Sequence, residues 1–148
     1  MNDLSLMVSI VSRAKLPQLL PVLDGRGAHV NFVSLGRGTA ANETLDLLGI
    51  ENAEKAVCFS VVTGDVWKLL KRDLRQKLMI DVPGVGIAFK VPLSSIGGKR
   101  ELMFLTEGQN FVRGEEESMK NTERELLMVI SNEGYNEMVL GAGKNDSN

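Results

Sequence analysis

Several residue types that mark common classes of protein are scarce in this chain of 148 residues. It has one tryptophan, one tyrosine and five phenylalanines, and a net charge of −2. A general nucleic-acid binder normally has a basic face and aromatic side chains for stacking, so this composition argues against one. The single Cys58 allows no internal disulfide, which favours a cytoplasmic protein. Together with the single His29, it offers no cluster of strong zinc ligands.

Long hydrophobic runs are missing as well. The first apolar stretch, at residues 4–11, is short and follows an acidic residue, so it fits neither a signal peptide nor a membrane span. The chain is nevertheless 43% hydrophobic and 24% charged, which allows a buried core. We therefore expect a globular protein that does not enter a membrane.

The apolar pattern predicts short strands that alternate with helices. Strands are predicted at residues 4–11, 28–36, 55–64, 84–93 and 101–105. A helix is predicted at 14–27, where Pro21 should distort it or end it early. A second helix is predicted at 65–81, with Thr63 or Asp65 as its N-cap. The order β-α-β-β-α-β predicts an α+β, ferredoxin-like sandwich: a four-stranded antiparallel sheet, two helices on one face, and a C-terminal hairpin.

The C-terminal part of the chain is predicted to be separate from this domain. Residues 107–124 are polar and charged, as in a linker, and follow a domain at 1–106. Residues 125–148 open with a pattern similar to the start of the chain, since Met7 matches Leu126 and Ser12 matches Ser131. We interpret them as an appended β-α piece, a partial second repeat. A chance match of two amphipathic β-α pieces is the alternative.

Three glycine-containing segments are expected to converge at the edge of the sheet: GRGTA from Gly36, TGD from Thr63, and PGVG from Pro83. Backbone N–H groups in glycine turns bind phosphate oxygens, and basic side chains add charge-assisted bonds. For each glycine alone, a turn that needs a positive φ is the better explanation, and only the three segments together favour a phosphate site. The candidate ligand-binding residues are Gly36, Arg37, Gly38, Thr63, Gly84, Val85, Gly86, Lys99 and Arg100.

The element order, the long loop after GRG, and GVGIAFKVP followed by SSIGG resemble the P-II nitrogen regulatory proteins over residues 4–100. The resemblance implies a cytoplasmic homotrimer that transduces a signal in nitrogen metabolism and is not an enzyme. It implies a small effector, ATP or ADP, in the clefts between subunits. Gly84 and Gly86 match the phosphate-binding glycines of that family, and Gly36 and Arg37 match the start of its mobile arm.

The arm is the loop of residues 37–53, and the resemblance implies that it docks on a target enzyme or transporter. Its candidate contact residues are Thr39, Asn42, Leu45, Leu48 and Ile50. Exposed apolar side chains on a long loop usually meet a partner. A short helix packed permanently on its own sheet explains the same sequence equally well.

The chain departs from the P-II pattern at informative positions. Ile87 stands where the family has a lysine, Gly38 stands where it has a glutamine, and the arm has no tyrosine. We therefore expect weak nucleotide binding, or a preference for another small anion or metabolite. A scaffold that binds nothing small is a further alternative. A phosphatase-like enzyme is the least favoured one, because Arg13 has no glycine cradle beside it and His29 has no evident partner.

Overall fold

The computed structural model describes residues 4–38, 54–112 and 125–132. The chain divides into two compact units, residues 1–116 and 117–148. In chain order, the elements of the first unit are β1 (Leu4–Ser12), a 3-10 turn (Arg13–Lys15), α1 (Leu16–Asp24), β2 (Asn31–Arg37), β3 (Glu54–Thr63), α2 (Gly64–Lys77), β4 (Gly86–Pro92) and α3 (Lys99–Leu105). The predicted order βαββαβ is confirmed. Within the described ranges, no helix is long and apolar enough to cross a membrane.

The four strands form one antiparallel sheet in the order β2-β3-β1-β4. Strand β1 is central: it pairs with β3 from Leu4 to Ser12, and with β4 from Ser5 to Val11. Because β2 and β4 each have only one neighbour in this sheet, they are its two edges. This is the predicted ferredoxin-like arrangement.

Both helices pack on the same face of the sheet. The buried cluster draws on two strands and two helices, and its main members are Met7, Val11, Leu19, Leu23, Cys58, Val62, Leu70, Leu74 and Leu78. Successive side chains of a strand point to opposite faces. The odd-numbered residues of β1 and the even-numbered residues of β3 therefore face the helices, as predicted for a two-layer sandwich.

The opposite face of the sheet is also strongly apolar. It carries the other half of each strand's side chains, including Leu6, Val8, Ile10, Phe32, Val57, Phe59, Val61, Ile87, Phe89 and Val91. We call it the open face, because α1 and α2 both cover the other side. Ile87 is 56% exposed and Phe89 is 42% exposed. Val8 and Val61, in the middle of this face, are nearly buried at 7% exposure, so the apolar surface in contact with water lies mainly along β4.

A partly buried ion pair joins the end of α1 to α2. Arg26 donates from Nε to Oδ2 of Asp73 at 2.6 Å and from Nη2 to Oδ1 at 3.1 Å. Asp73 is only 3% exposed, and Lys77 contributes a further contact at 3.8 Å. The hydrogen bond from Arg26 is the main reason why the pKa of Asp73 lies below its ordinary value of 3.8. The pair therefore links the two helices on the same face of the sheet.

The helix boundaries follow from local chemistry. Helix α2 begins as predicted, because Oγ1 of Thr63 accepts a hydrogen bond from the N–H of Val66. Helix α1 continues past Pro21, contrary to an early end there. Pro21 is the sixth residue of the helix, so its missing N–H removes one bond of the hydrogen-bond ladder without ending the helix. The helix ends at Gly25, and Gly27 follows with a φ of 88°.

The strand predicted at residues 101–105, and with it the C-terminal hairpin, is wrong. Lys99–Leu105 is helix α3. The backbone turns at Gly98 with a φ of 91°, and the carboxylate of Glu101 occupies the space that a side chain at Gly98 would fill. Leu102 and Thr106 then donate their N–H groups four residues back. A five-residue apolar run fits the periodicity of a strand and that of a helix, and these local hydrogen bonds favour the helix.

The second unit is described only at residues 125–132, and these form neither helix nor strand. Their five apolar residues, Leu126 to Ile130, are all exposed. A strand needs a partner for its backbone groups, and none of the described strands pairs with this segment. The remainder of the predicted β-α piece, residues 133–148, lies outside the described residues.

Candidate functional site

Two of the three glycine segments lie at the same end of the sheet. Gly36, near the end of β2, pairs with Lys55 at the start of β3. Gly86, at the start of β4, pairs with Val11 near the end of β1. Because Val11 pairs with Ala56 beside Lys55, both glycines lie where β1 and β2 end. We call this end of the sheet the arm end.

Within one chain, these two segments lie at opposite edges of that end. The order β2-β3-β1-β4 separates them by three strand spacings. At about 4.8 Å per spacing, this amounts to roughly 14 Å. One phosphate group cannot contact both backbones across that distance. A single chain therefore presents two half-sites, at its β2 corner and at its β4 corner.

Gly84 and Gly86 differ in what surrounds them. Gly84 has a φ of 87° and open space where a side chain would be. At Gly86, a Cβ would lie 2.5 Å from the carbonyl oxygen of Ile10 and 2.9 Å from Cγ1 of Val11. Gly86 therefore allows β4 to pack against β1. Gly84, the turn glycine, and the neighbouring Val85 are the members of the loop that an effector can approach.

Thr63 and the TGD segment do not join this site. Thr63 pairs with Leu4, at the end of the sheet opposite the arm end. It lies eight residues along β3 from Lys55, which corresponds to roughly 26 Å. Its hydroxyl caps α2, and its N–H donates to Oε1 of Gln109. The predicted convergence of three segments is therefore wrong for this one, because β3 runs antiparallel to β2.

Lys99 and Arg100 are the first residues of α3, and both are exposed. The chain before them is fixed by the N–H of Leu93, which donates to the carbonyl of Leu4. The chain after them is fixed by Gln109, which bonds to Thr63 and Val61. Both anchor points lie away from the arm end. The structure therefore does not bring these two cations together with Gly84 in the same chain.

The base of the arm is held at several points. Arg37, the last residue of β2, pairs with Glu54, the first residue of β3. Nη1 of Arg13 contacts Oε2 of Glu54 at 2.6 Å, which ties the end of β1 to this base. Sequence reasoning considered Arg13 only as a phosphatase-type arginine, and here it is engaged in an ion pair. The predicted arm contacts Thr39, Asn42, Leu45, Leu48 and Ile50 lie outside the described residues.

Sequence reasoning missed a partner for His29. Its Nδ1 lies 2.5 Å from Oδ1 of Asp24, beside a groove of about 500 Å³ between α1 and β2. In the sequence, Asp24 and His29 stand on either side of the glycine turn that ends α1, and this placement could have indicated their contact. Within the described part of the chain, no serine, threonine or cysteine lines the groove. Burial raises the pKa of the Cys58 thiol, which disfavours the nucleophilic thiolate.

A second groove, of about 290 Å³, lies between α2 and the outer side of β4. Its lining includes Trp67, Lys71, Arg75, Ile80, Gly86 and Ala88. Nζ of Lys71 lies 5.9 Å from the centre of the Trp67 ring, within cation–π range. The groove thus combines an apolar floor with two cations and the carboxylate of Asp81. Among the described residues, no group of three or more histidine, cysteine or carboxylate side chains could hold a metal ion.

No profile of a known protein family matches the sequence, and no curated protein is similar to it in sequence. The fold is similar to those of several solved structures. CPII, a nitrogen regulatory PII-like protein from Thiomonas intermedia K12 bound to ADP, AMP and bicarbonate, matches with a TM-score of 0.47 and 13% identity, over 61% of this chain and 89% of that one. PII of Arabidopsis thaliana, bound to citrate, matches with a TM-score of 0.48 and 19% identity, over 62% and 78%.

A Bacillus cereus protein related to NIF3 also matches, with a TM-score of 0.49 and 17% identity. The match covers 64% of this chain but 26% of that larger one. At these identities and scores, the likeness to all three proteins concerns the fold alone. The ferredoxin-like arrangement itself rests on the strand order of this chain.

Proposed function

We propose that this chain is a cytoplasmic signalling regulator of the P-II-like type, and not an enzyme. It binds a small anionic effector between copies of itself and reports the effector to a target enzyme or transporter through the arm. One observation carries the proposal: Gly36 and Gly84–Gly86 lie at the same end of the sheet but roughly 14 Å apart. Two half-sites with this separation suit a ligand that is held between two copies.

The open face supports the association of copies. Ile87 and Phe89 expose apolar side chains there, and burial of such surface favours association. Three copies that pack their open faces together form a closed homotrimer, as the resemblance to P-II proteins implies. In that assembly, the β2 corner of one copy lies beside the β4 corner of the next. Arg37 then supplies a cation to the glycine turn at Gly84.

The effector is an adenine nucleotide bound weakly, or another small anion that uses the same groups. Ile87 stands where the P-II pattern has a lysine, so the β4 corner lacks a cation on the open face. Lys90 does not replace it, because it pairs with Met7 and faces the helices. A charged hydrogen bond contributes about 1.5–3 kcal/mol, so Ile87→Lys should tighten ATP binding by about one to two orders of magnitude. Regulation of nitrogen metabolism is the role that this resemblance favours.

The decisive experiment is calorimetric titration with ATP, ADP and 2-oxoglutarate, with complementation between variants. Arg37→Ala removes the cation of the β2 corner, and Val85→Asp places a carboxylate in the β4 corner. Each variant alone should lose binding, because every cleft then contains one damaged half. Co-refolded mixtures should regain binding in the clefts that combine the two intact halves.

Two results would contradict the proposal. Binding by a monomer at full affinity would remove the site between copies. Failure of the unmodified chain to bind any of the three ligands would favour the scaffold alternative. Circular dichroism of each variant provides the control for folding, since both substitutions lie at exposed or half-exposed positions.

A further inference from the structure

The segment Leu126–Ile130 presents five consecutive large apolar residues to water. Their exposed fractions run from 42% for Met128 to 81% for Leu127, and the segment belongs to no helix or strand. Exposed apolar runs of this length mark interaction sites or aggregation-prone strands. The segment also has the composition of a strand, with Val129 and Ile130 β-branched. Its exposed apolar side chains and its β-branched residues therefore favour pairing with the edge of a sheet.

The outer edge of β4 offers such a partner. The N–H of Leu93 donates to the carbonyl of Leu4 at 3.0 Å, so the backbone of residue 93 points towards β1. Successive residues of a strand point their backbone groups to opposite sides. The N–H and C=O groups of Ala88 and Lys90 therefore point away from β1, to an edge that no strand of the sheet covers. Pro92 also faces outward, where its missing N–H costs no hydrogen bond to β1.

The surroundings of this edge are apolar and carry a small excess of positive charge. The groove beside β4 has an apolar floor at Trp67 and Ile80, with Lys71, Arg75 and the carboxylate of Asp81 around it. The apolar run is preceded by Glu123, Arg124 and Glu125 in the sequence, which together carry one net negative charge. An added strand would place one set of alternate side chains in this groove. The other set would extend the open face next to Ile87 and Phe89.

The edge at β2 fits the segment less well. Its groove contains the carboxylate of Asp24 beside His29, and Glu54 lies at its far end. Residues 108–109 also occupy the approach to the start of β2, because Gly108 lies directly against Gly27 and His29. The β4 edge is therefore the more accessible one.

We propose that residues 125–131 of one copy add as a fifth strand to the outer edge of β4 in a second copy. The segment matches β1, with Leu126 in the place of Met7 and Ser131 in the place of Ser12. Strand β1 already pairs with the inner edge of β4 over a similar length. Among the residues that the structure describes, no strand pairs with the segment or with this edge. Strand addition between copies satisfies both.

Amide hydrogen exchange on the full chain tests this proposal directly. In the unmodified protein, the outward N–H groups of Ala88 and Lys90 should exchange at least about tenfold more slowly than those of a bare edge. Val129→Lys should abolish that protection, whereas the matched control Asn132→Lys should keep it. The amides of Phe89 and Val91 bond to β1 and should stay protected in every sample.

A mixing experiment identifies the donor of the strand. Isotope-labelled Val129→Lys copies, which keep an intact β4, are mixed with unlabelled unmodified copies. Restored protection at Ala88 and Lys90 of the labelled copies supports addition from a second copy. Unrestored protection means that the segment binds its own chain, and overturns the proposal. Fast exchange in the unmodified protein, or protection that survives Val129→Lys, also overturns it.

Discussion

Gly84 and Gly86 stand two residues apart, and the protein needs them for different reasons. The sequence suggested that both approach a phosphate. In the structure, Gly86 leaves room for the carbonyl of Ile10, and Gly84 adopts a φ of 87° in a turn that faces open space. A substitution at Gly86 therefore reports on the packing of β4 against β1, and not on an effector.

We expect Gly86→Val to destabilise the fold by about 1–3 kcal/mol or more, because its side chain overpacks the contact with β1. Gly84→Ala should cost about 1–2 kcal/mol, from the unfavourable φ alone. Gly36→Ala is the matched control, since nothing lies within 4 Å of its Cβ position. Urea unfolding of the three variants makes the comparison. Equal stability of Gly86→Val and Gly36→Ala would contradict the packing role of Gly86.

Asp73 makes the stability depend on pH in a defined direction. Its native pKa lies below 3.8, chiefly because of the hydrogen bond from Arg26, so the unfolded chain takes up its proton first as the pH falls. The stabilisation is complete well above pH 4 and is lost as the pH falls through the native pKa. Asp73→Asn should lower the melting temperature at pH 7 and remove this part of the acid dependence.

The control for Asp73→Asn is Asp65→Asn on the same helix, where the carboxylate is exposed and lies 3.7 Å from Lys68. Exposed pairs of this kind contribute little. Melting curves of both variants between pH 3 and pH 7 provide the measurement. A parallel pH profile for Asp73→Asn and the unmodified protein would show that another carboxylate governs the acid transition.

The segment after α3 acts as a short substitute for a strand beside β3. Strand β2 begins opposite Ser60 and does not reach the end of β3. There, Gln109 accepts a hydrogen bond from the N–H of Thr63 at 3.0 Å and donates one to the carbonyl of Val61 at 2.8 Å. One side chain thus satisfies two backbone groups just before α2 begins.

Gln109→Ala should destabilise the first unit by about 1–3 kcal/mol, because it leaves those two backbone groups without their partner. Gln76→Ala, at an exposed position of α2, is the matched control and should stay within about 0.5 kcal/mol. Urea unfolding at neutral pH measures both. If the two variants unfold alike, water replaces Gln109 and the segment does not secure the end of β3.

The arm can be tested by shortening it. Arg37 and Glu54 are paired, so β2 and β3 can be joined by a hairpin. Deletion of residues 40–50 leaves the five residues 38, 39, 51, 52 and 53 between them, which is long enough for a hairpin loop. We expect an unchanged melting temperature within a few degrees, retained effector binding, and loss of capture of the target. Loss of the fold would make the arm part of the core, and the signalling proposal would fail.

For the whole molecule, the open face makes a prediction about assembly. Phe89→Glu places a charge on that face and should convert a homotrimer into monomers. Leu35→Glu is the matched control, because Leu35 is 60% exposed but lies on the helix side of the edge strand β2. Sedimentation at micromolar concentration should show a trimer for the control and a monomer for Phe89→Glu. A monomeric unmodified protein would remove the site between copies.

Local patterns in the sequence were enough to predict most elements of the first unit. The apolar run at residues 4–11, the leucine stripe of α2 and the cap at Thr63 all act over a few neighbouring residues. The order of the elements then restricted the sheet to one arrangement, because short connections and antiparallel pairing leave few alternatives. The ferredoxin-like fold was predictable for this reason.

The arrangement of the site was not predictable in the same way, because it depends on contacts between residues far apart in the chain. Strand direction carries Thr63 to the end of the sheet opposite Gly36. The close packing of β4 against β1 explains the glycine at position 86. The apolar run at residues 101–105 fits a strand or a helix, and only the bonds around Gly98 and Glu101 make it helical. The packed sheet decides which side chains of each strand face the helices. It thereby also decides which apolar face stays open for another copy.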